Sequence, residues 1–330
     1  MALGGSEGGS APLPKPPPEQ IAPAKPALEA EHSSSGGHAN YSKRPLGRWL
    51  LAVTLAIMSG GTAWAGPSAT GPLGGIKTWA VYYGAAPETA ADLARFDLVV
   101  LDPTRHPPLN NVKRHGALLL MYVSLGEVNI HSPAYPSIAA EPWVLAPNPN
   151  WPEARRLDPR APGYERWLLE QVVPAAMTGP VNGLFLDTAD TSIELERAEP
   201  GRYGGATVAL ERVLGVLHRA HPRALLVLNG GLPLVERGRP MLAGVAVESI
   251  WTDYDFKAQR YRARAPGAAR ERAVALRRVT ALGLPVLALE YAPPDDPAWT
   301  QSLIREARAA GLIPYISTIG LDKVFTQTLR

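Results

Sequence analysis

From Thr78 onward the chain alternates between short, almost uninterrupted apolar runs and longer stretches whose apolar residues recur at helical spacing. The runs fall at 78–84, 97–102, 118–127, 183–188, 225–231, 244–251, 285–292 and 312–319, and each is rich in Val, Leu, Ile or Tyr. Runs of this length without polar alternation read as strands buried on both faces. Between them, Tyr164, Trp167, Leu168, Val172 and Ala175 share one helical face. So do Leu210, Val213, Leu214 and Leu217, and further on Ala275, Val279 and Leu282. Gly116, Gly283 and Gly311 stand where helices should stop, just before a strand. Eight strands alternating with helices predict an α/β fold, a (β/α)8 TIM barrel. The other arrangement with this pattern is a doubly wound open sheet. It would carry a Gly-rich phosphate turn after the first strand, where this chain has Tyr82-Tyr83-Gly84-Ala85-Ala86. The unit after the second strand is too short for a full helix. The segment 129–162, rich in Pro and aromatic residues (Tyr135, Trp143, Trp151), reads as a large loop on the upper rim.

Upstream of the barrel the pattern disappears. Residues 1–43, with Pro16-Pro17-Pro18 and Ser33-Ser34-Ser35-Gly36-Gly37, read as a disordered leader or as a start placed too far upstream. Residues 44–65 have the layout of a signal peptide. Basic Lys43, Arg44 and Arg48 precede a ten-residue apolar run from Trp49 to Met58, and Ala63-Trp64-Ala65 supplies a small-residue cleavage site. The run is short against the roughly 20 residues of a spanning helix, so the expectation is export to the periplasm or exterior after cleavage near Ala65. Association with the membrane is expected only if this segment stays uncleaved. A linker at 66–75 then leads into a barrel over 76–330. Without leader and signal, the 330-residue chain comes close to the about 250 residues typical of one barrel.

Composition narrows the chemistry. The chain has no Cys, which excludes disulfides, thiol nucleophiles, cysteine–zinc and iron–sulfur sites. A net charge of +3 with no basic run excludes a nucleic-acid face. Its seven His show no metal-ligand spacing. Ser124, Ser249 and Ser317 lack a nucleophile elbow. The expectation is therefore no metal and no cofactor.

Carboxylates are the remaining carriers. Five of the eight runs end in one: Asp102, Glu127, Asp187, Glu248 and Glu290. In a barrel these ends converge on the face where chemistry sits. Two carboxylates across a glycosidic bond are sufficient for acid/base hydrolysis. Tyr82, Tyr83, Trp251, Tyr254, Tyr291 and Tyr315 lie at the same rim and could stack on sugars. Asp187 and Glu248 are the expected catalytic pair, with Glu248 as proton donor and Asp187 as nucleophile or water activator. Glu290 is the rival for the second place. Glu127 and Asn229 are expected to bind substrate hydroxyls, Glu127 having a structural salt bridge as its other reading. Asp102 reads as a subsite or a turn residue, and Asp190 as a group tuning the pair or a solvated loop charge.

These pieces together resemble glycoside hydrolase family 114, the endo-α-1,4-polygalactosaminidase family. The resemblance runs through Tyr82-Tyr83-Gly84, Phe96-Asp97-Leu98-Val99-Val100-Leu101-Asp102-Pro103 and Tyr122-Val123-Ser124-Leu125-Gly126-Glu127. It continues in Gly183-Leu184-Phe185-Leu186-Asp187-Thr188-Ala189-Asp190, Asn229-Gly230-Gly231 and Val247-Glu248-Ser249. It implies a secreted barrel that cuts a polysaccharide containing galactosamine. The alternative is a non-catalytic carbohydrate-binding barrel, and a monomer is expected in either case. One departure concerns charge. The segment 253–265 carries Lys257, Arg260, Arg262 and Arg264, a surface that would suit an acidic or acetylated polymer better than a cationic one. The Arg-rich stretch 270–278 reads as the solvated outer face of a helix.

Overall fold

A computed structural model of the protein describes residues 71–329. The leader, the expected signal segment and the first part of the expected linker lie outside the described residues. Eight strands form one sheet: Trp79–Tyr82, Leu98–Leu101, Leu118–Ser124, Gly183–Asp187, Leu225–Asn229, Gly244–Glu248, Val286–Tyr291 and Ile313–Ser317. Their spatial order is their chain order, and every ladder between neighbours is parallel. A doubly wound sheet would reverse direction part-way, so the architecture is the barrel. Among the described residues no ladder joins the first strand to the eighth. The Trp79 indole instead donates across that seam to the Ile313 carbonyl at 2.9 Å. Trp79 also stacks with Phe185 of the fourth strand, 6.4 Å between ring centroids, which fills the interior from opposite walls. At the closed end Leu73, within the stretch read as a linker, is buried in the same core.

The helices follow the sequence pattern with one instructive shift. Ala206–Ala220 buries Leu210, Val213, Leu214 and Leu217, as their spacing predicts. The helix beginning at Pro162 buries Tyr164, Trp167 and Leu168, but then Val173 and Ala176 rather than Val172 and Ala175. A π-helical turn over Leu168–Val172 intervenes, in which the Val173 N–H bonds to the Leu168 carbonyl five residues back. Pro174 has no N–H to continue the ordinary ladder, and the wider turn rotates everything after it by one residue. In the helix Pro266–Ala281 the buried face is Ala269, Leu276 and Val279, so Ala275 is not on it.

The segment 129–162 is more ordered than a loop. Glu127–Asn129, Trp151–Leu157 and Val144–Asn148 form a three-stranded antiparallel sheet on the rim. Its Pro residues mask strand periodicity, and Pro147 lies on the edge strand, where a missing N–H breaks no ladder. A second rim element is the hairpin Thr252–Asp255 with Arg260–Ala263. The two meet where Trp151 contacts Phe256 edge-on, 4.9 Å between centroids. The hairpin accounts for the basic segment in part. Arg262 pairs with Asp253, and Arg264 donates to the Ser249 carbonyl at 3.2 Å while lying 3.7 Å from Asp253. Lys257, Arg260 and Arg262 are all exposed, and of the four only Arg264 is drawn in.

Candidate active site

Three consecutive strands deliver the centre of the site from their last residues: Asp187, Asn229 and Glu248. Each strand then bends sharply. Thr188 and Ser249 adopt left-handed backbone angles (φ 60° and 54°), as does Gly230 (φ 65°). For non-glycine residues that conformation is costly and concentrates at functional sites. Thr188 is held there by its hydroxyl, which accepts from the Gly126 N–H at 2.8 Å. Gly230 is needed twice over, for its angle and because a Cβ there would sit 2.1 Å from an Asp190 oxygen.

Asn229 joins the two carboxyl groups. Its Nδ2 donates to Asp187 Oδ1 at 2.8 Å and to Glu248 Oε1 at 2.6 Å. Those two oxygens are therefore separated by no more than the two contact distances together. Each remaining oxygen has a tyrosine donor: Tyr122 to Asp187 Oδ2 at 3.0 Å and Tyr291 to Glu248 Oε2 at 2.7 Å. Burial pushes Asp187 up to about 6, against hydrogen bonds from Thr188, Asn229 and Tyr122 that favour its anion. Burial and then the Asp187 charge push Glu248 up to about 8, against Tyr291 and Asn229. Two like charges held this close cannot both ionise freely, so the pair holds one proton near neutrality. Burial first, then the neighbouring carboxylates, push the Tyr83, Tyr122 and Tyr291 hydroxyls well above 10, so all three stay protonated.

The cleft has two lobes that meet at Asp187 and Thr188. The first, about 260 Å³, is walled by Tyr83, Asp102, Tyr122, Glu127 and Trp151 among others. The second, about 390 Å³, is walled by Asp190, Asn229, Glu248, Arg272 and Leu276 among others. A profile of glycoside hydrolase family GH114 matches residues 59–329. The chain belongs to glycoside hydrolase family GH114. It is similar to the glycoside hydrolase domain of PelA from Pseudomonas aeruginosa, at 28% identity and a TM-score of 0.68 over 76% of this chain and 98% of that one. A protein of Deinococcus radiodurans described as uncharacterized is 26% identical over 78% of this chain and 85% of its own length. The Aspergillus fumigatus Ega3 structure in complex with galactosamine shares the fold, with a TM-score of 0.57 at 14% identity over 79% of this chain and 96% of that one. This GH114 chain is thus a glycoside hydrolase.

The remaining residues singled out in the sequence are placed unequally in the GH114 barrel. Glu127 is buried, accepts from Asn148 at 2.8 Å and Thr191 at 2.6 Å, and ties the rim sheet to the helix after the fourth strand. Asp102 caps its own turn, taking the Thr104 N–H and hydroxyl, both at 2.7 Å, while also lining the first lobe. Asp190 accepts from the Gly231 N–H at 3.0 Å and lines the second. Tyr83 lines the first lobe and Tyr291 reaches the site through its hydroxyl. Tyr82 and Tyr315, expected at the rim, are enclosed in the core and line neither lobe. The Tyr82 hydroxyl accepts from the Ala86 N–H, and the Tyr315 hydroxyl from Phe325. Trp251 also lies outside both lobes, packed beside Ala292, Leu303, Ile304 and Ile316. Tyr254 packs against Phe256 and Tyr261 on the hairpin. Glu290 is 0% exposed and points at backbone. It accepts from the N–H groups of Ile250, Trp251 and Thr252 and from the Thr252 hydroxyl. Sequence reasoning had not singled out Tyr122 as a site residue or Arg272 as a cleft wall. The signal for Tyr122 was available: a polar-tipped ring in a buried strand, two residues before Ser124 and on the same strand face.

Proposed function

We propose that the protein is a retaining glycoside hydrolase acting on an amino-sugar polysaccharide, with Asp187 as nucleophile and Glu248 as acid/base. The observation that carries this reading is the pair of buried carboxyl groups held on a single Asn229 nitrogen. The two oxygens that share this nitrogen lie closer together than the about 6.5 Å that inversion needs to admit a water, which supports retention. The proton belongs on Glu248, the group pushed up further. Glu248 gives that proton to the glycosidic oxygen as the bond to the anomeric carbon breaks. The Asp187 carboxylate forms the new bond, giving a glycosyl ester. Asp187 then no longer carries the charge that held Glu248 up, so Glu248 becomes a better acid as it must part with its proton. In the second step Glu248 takes a proton from water, the oxygen attacks the anomeric carbon, and Asp187 leaves as the carboxylate.

The amino-sugar assignment draws support from family membership and from the galactosamine complex of Ega3. Walls on both sides of the pair suit a polymer occupying both lobes, with Tyr83 and Trp151 as surfaces for sugar rings. Export through the signal segment 44–65, cleavage near Ala65 and a monomeric state complete the reading. The deciding experiment measures reducing ends released from α-1,4-linked galactosamine polymer. Wild type should release them with the anomeric configuration retained, followed by NMR. Asp187→Asn and Glu248→Gln should each lose at least about a thousandfold in kcat. Full activity in either variant would remove that residue from the mechanism, and an inverted product would remove the nucleophile assignment.

A further inference from the structure

The rim sheet that carries Trp151 follows the third strand, and the hairpin Thr252–Asp255/Arg260–Ala263 follows the sixth. The hairpin is fastened at its root. Glu290 of the seventh strand accepts from the N–H groups of Ile250 and Thr252. The Tyr261 hydroxyl accepts from the Ile319 N–H, beyond the eighth strand, at 3.1 Å. A row of rings runs from there to the tip, with Tyr261 and Tyr254 4.9 Å apart and Tyr254 and Phe256 5.0 Å apart between centroids. Phe256 ends the row against Trp151. Two anchored rim elements are thus joined by an edge-on ring pair, a weak contact that can part without breaking a strand ladder. Trp151 adds a second observation. Its indole N–H is buried with no hydrogen-bond partner among the described residues, and the residue lines the first lobe. A buried donor left open in a cleft wall is ready for a ligand's acceptor.

The strand order gives this contact its meaning. The third and sixth strands flank the fourth and fifth, which end in Asp187 and Asn229. The first lobe takes Tyr83 and Asp102 from the ends of the first and second strands, on one side of the line joining the third to the sixth. The second lobe takes Asp190 and Asn229 from the other side of that line. A sugar chain occupying both lobes has to cross the line, and the Trp151–Phe256 pair spans it. We propose that this pair is a clasp over the bound polymer. Open, it admits the interior of a long chain from above. Closed, it leaves only the two ends of the cleft, through which a free chain end can thread. Phe256 lines neither lobe, yet it sets whether the enzyme can seat on the middle of a chain and how long it holds on after a cut. The identity of the chain rests on the hydrolase reading above.

The chain has no Cys, so Asn150→Cys combined with Lys257→Cys puts its only thiols at exposed positions beside the ring pair. A short bis-maleimide linker with a central disulfide then locks the clasp, and a reductant releases it. The substrates are α-1,4-linked galactosamine polymer and a short oligomer of the same sugar. Locking should lower the initial rate on polymer at least about tenfold and the rate on oligomer by no more than about twofold, with recovery on reduction. Either single variant, treated alike, sets the baseline. In a Glu248→Gln background, Phe256→Ala should speed dissociation from immobilised polymer at least about fivefold, and Phe256→Tyr, which keeps the ring, should not. A folding defect would depress the oligomer rate as well, which separates it from a lost clasp. Polymer and oligomer rates that respond equally to the lock, or not at all, overturn the clasp and leave the hydrolase reading standing. A wild type that cleaves neither substrate overturns the hydrolase reading. The clasp is then judged on binding: it is supported if the lock slows association with immobilised polymer and overturned if it does not.

Discussion

The ends of the sixth and seventh strands are neighbours in the same sheet, and each presents a buried glutamate with a raised pKa. Glu248 is 8% exposed and Glu290 0%. Glu290 is surrounded by donors, three backbone N–H groups and the Thr252 hydroxyl, and has no face toward either lobe. It fastens the root of the hairpin Thr252–Asp255/Arg260–Ala263. Glu248 receives one donor on each oxygen and stands in a cleft wall. Burial and a shifted pKa are therefore common to a brace and to the proposed catalytic acid. What separates them is whether the coordination of the carboxyl group is complete without a ligand.

The sharpest way to break this comparison is to exchange the consequences. Glu248→Gln should remove activity by at least about a thousandfold with little loss of thermal stability. Glu290→Ala should do the reverse. It strands the N–H groups of Ile250, Trp251 and Thr252 and should cost about 3 kcal/mol or more, read by denaturant unfolding, with kcat falling far less than in Glu248→Gln. A Glu290→Ala protein with wild-type stability would show that the hairpin root does not depend on it.

The pH–rate profile gives a smaller but more specific effect. The proposed roles need Asp187 ionised and Glu248 protonated, so kcat/KM should rise through about pH 6 and fall above about pH 8. Tyr291 favours the Glu248 anion, so Tyr291→Phe should move the alkaline limb to higher pH, and Glu290→Gln should leave both limbs in place.

Thermal stability should show the smallest effect. Burial raises Glu248 above its ordinary value of 4.5, so the folded protein holds that proton more tightly than the unfolded chain. Its contribution is complete below about pH 4.5 and is lost as pH rises through about 8. Glu248→Gln has no such proton to lose. Its Tm should decline by a few degrees less than that of wild type between pH 5 and pH 9, followed by scanning calorimetry.

The barrel was legible because its strands are buried on both faces and so stand out as apolar runs. The family fragments and the acids at strand ends were legible for the same reason. The site was legible only to the level of candidates. Asp187, Asn229 and Glu248 are each a strand's last residue, which local sequence displays. That Glu290 turns away depends on a hairpin folding back from residues 252–263, a long-range event with no local mark. Tyr82 and Tyr315 have the same sequence context as Tyr83 and Tyr291, and only the direction of each ring distinguishes wall from core. Arg272 is one of four Arg in a helix whose weak apolar stripe resembles an ordinary solvated face. The π-turn before Pro174 displaces the predicted face by one residue, an offset that spacing rules built on 3.6 residues per turn do not contain.

The shared Asn229 nitrogen has a consequence for the whole catalytic cycle. In the proposed sequence of steps the resting pair carries one negative charge, on Asp187. The glycosyl ester also carries one, now on Glu248. The total is constant, and only its position moves, from one side of the Asn229 amide to the other. The dipole that serves both positions can stay where it is, so the surroundings have little to reorganise between the two half-reactions. Asn229 is the fixed point about which the charge is handed over.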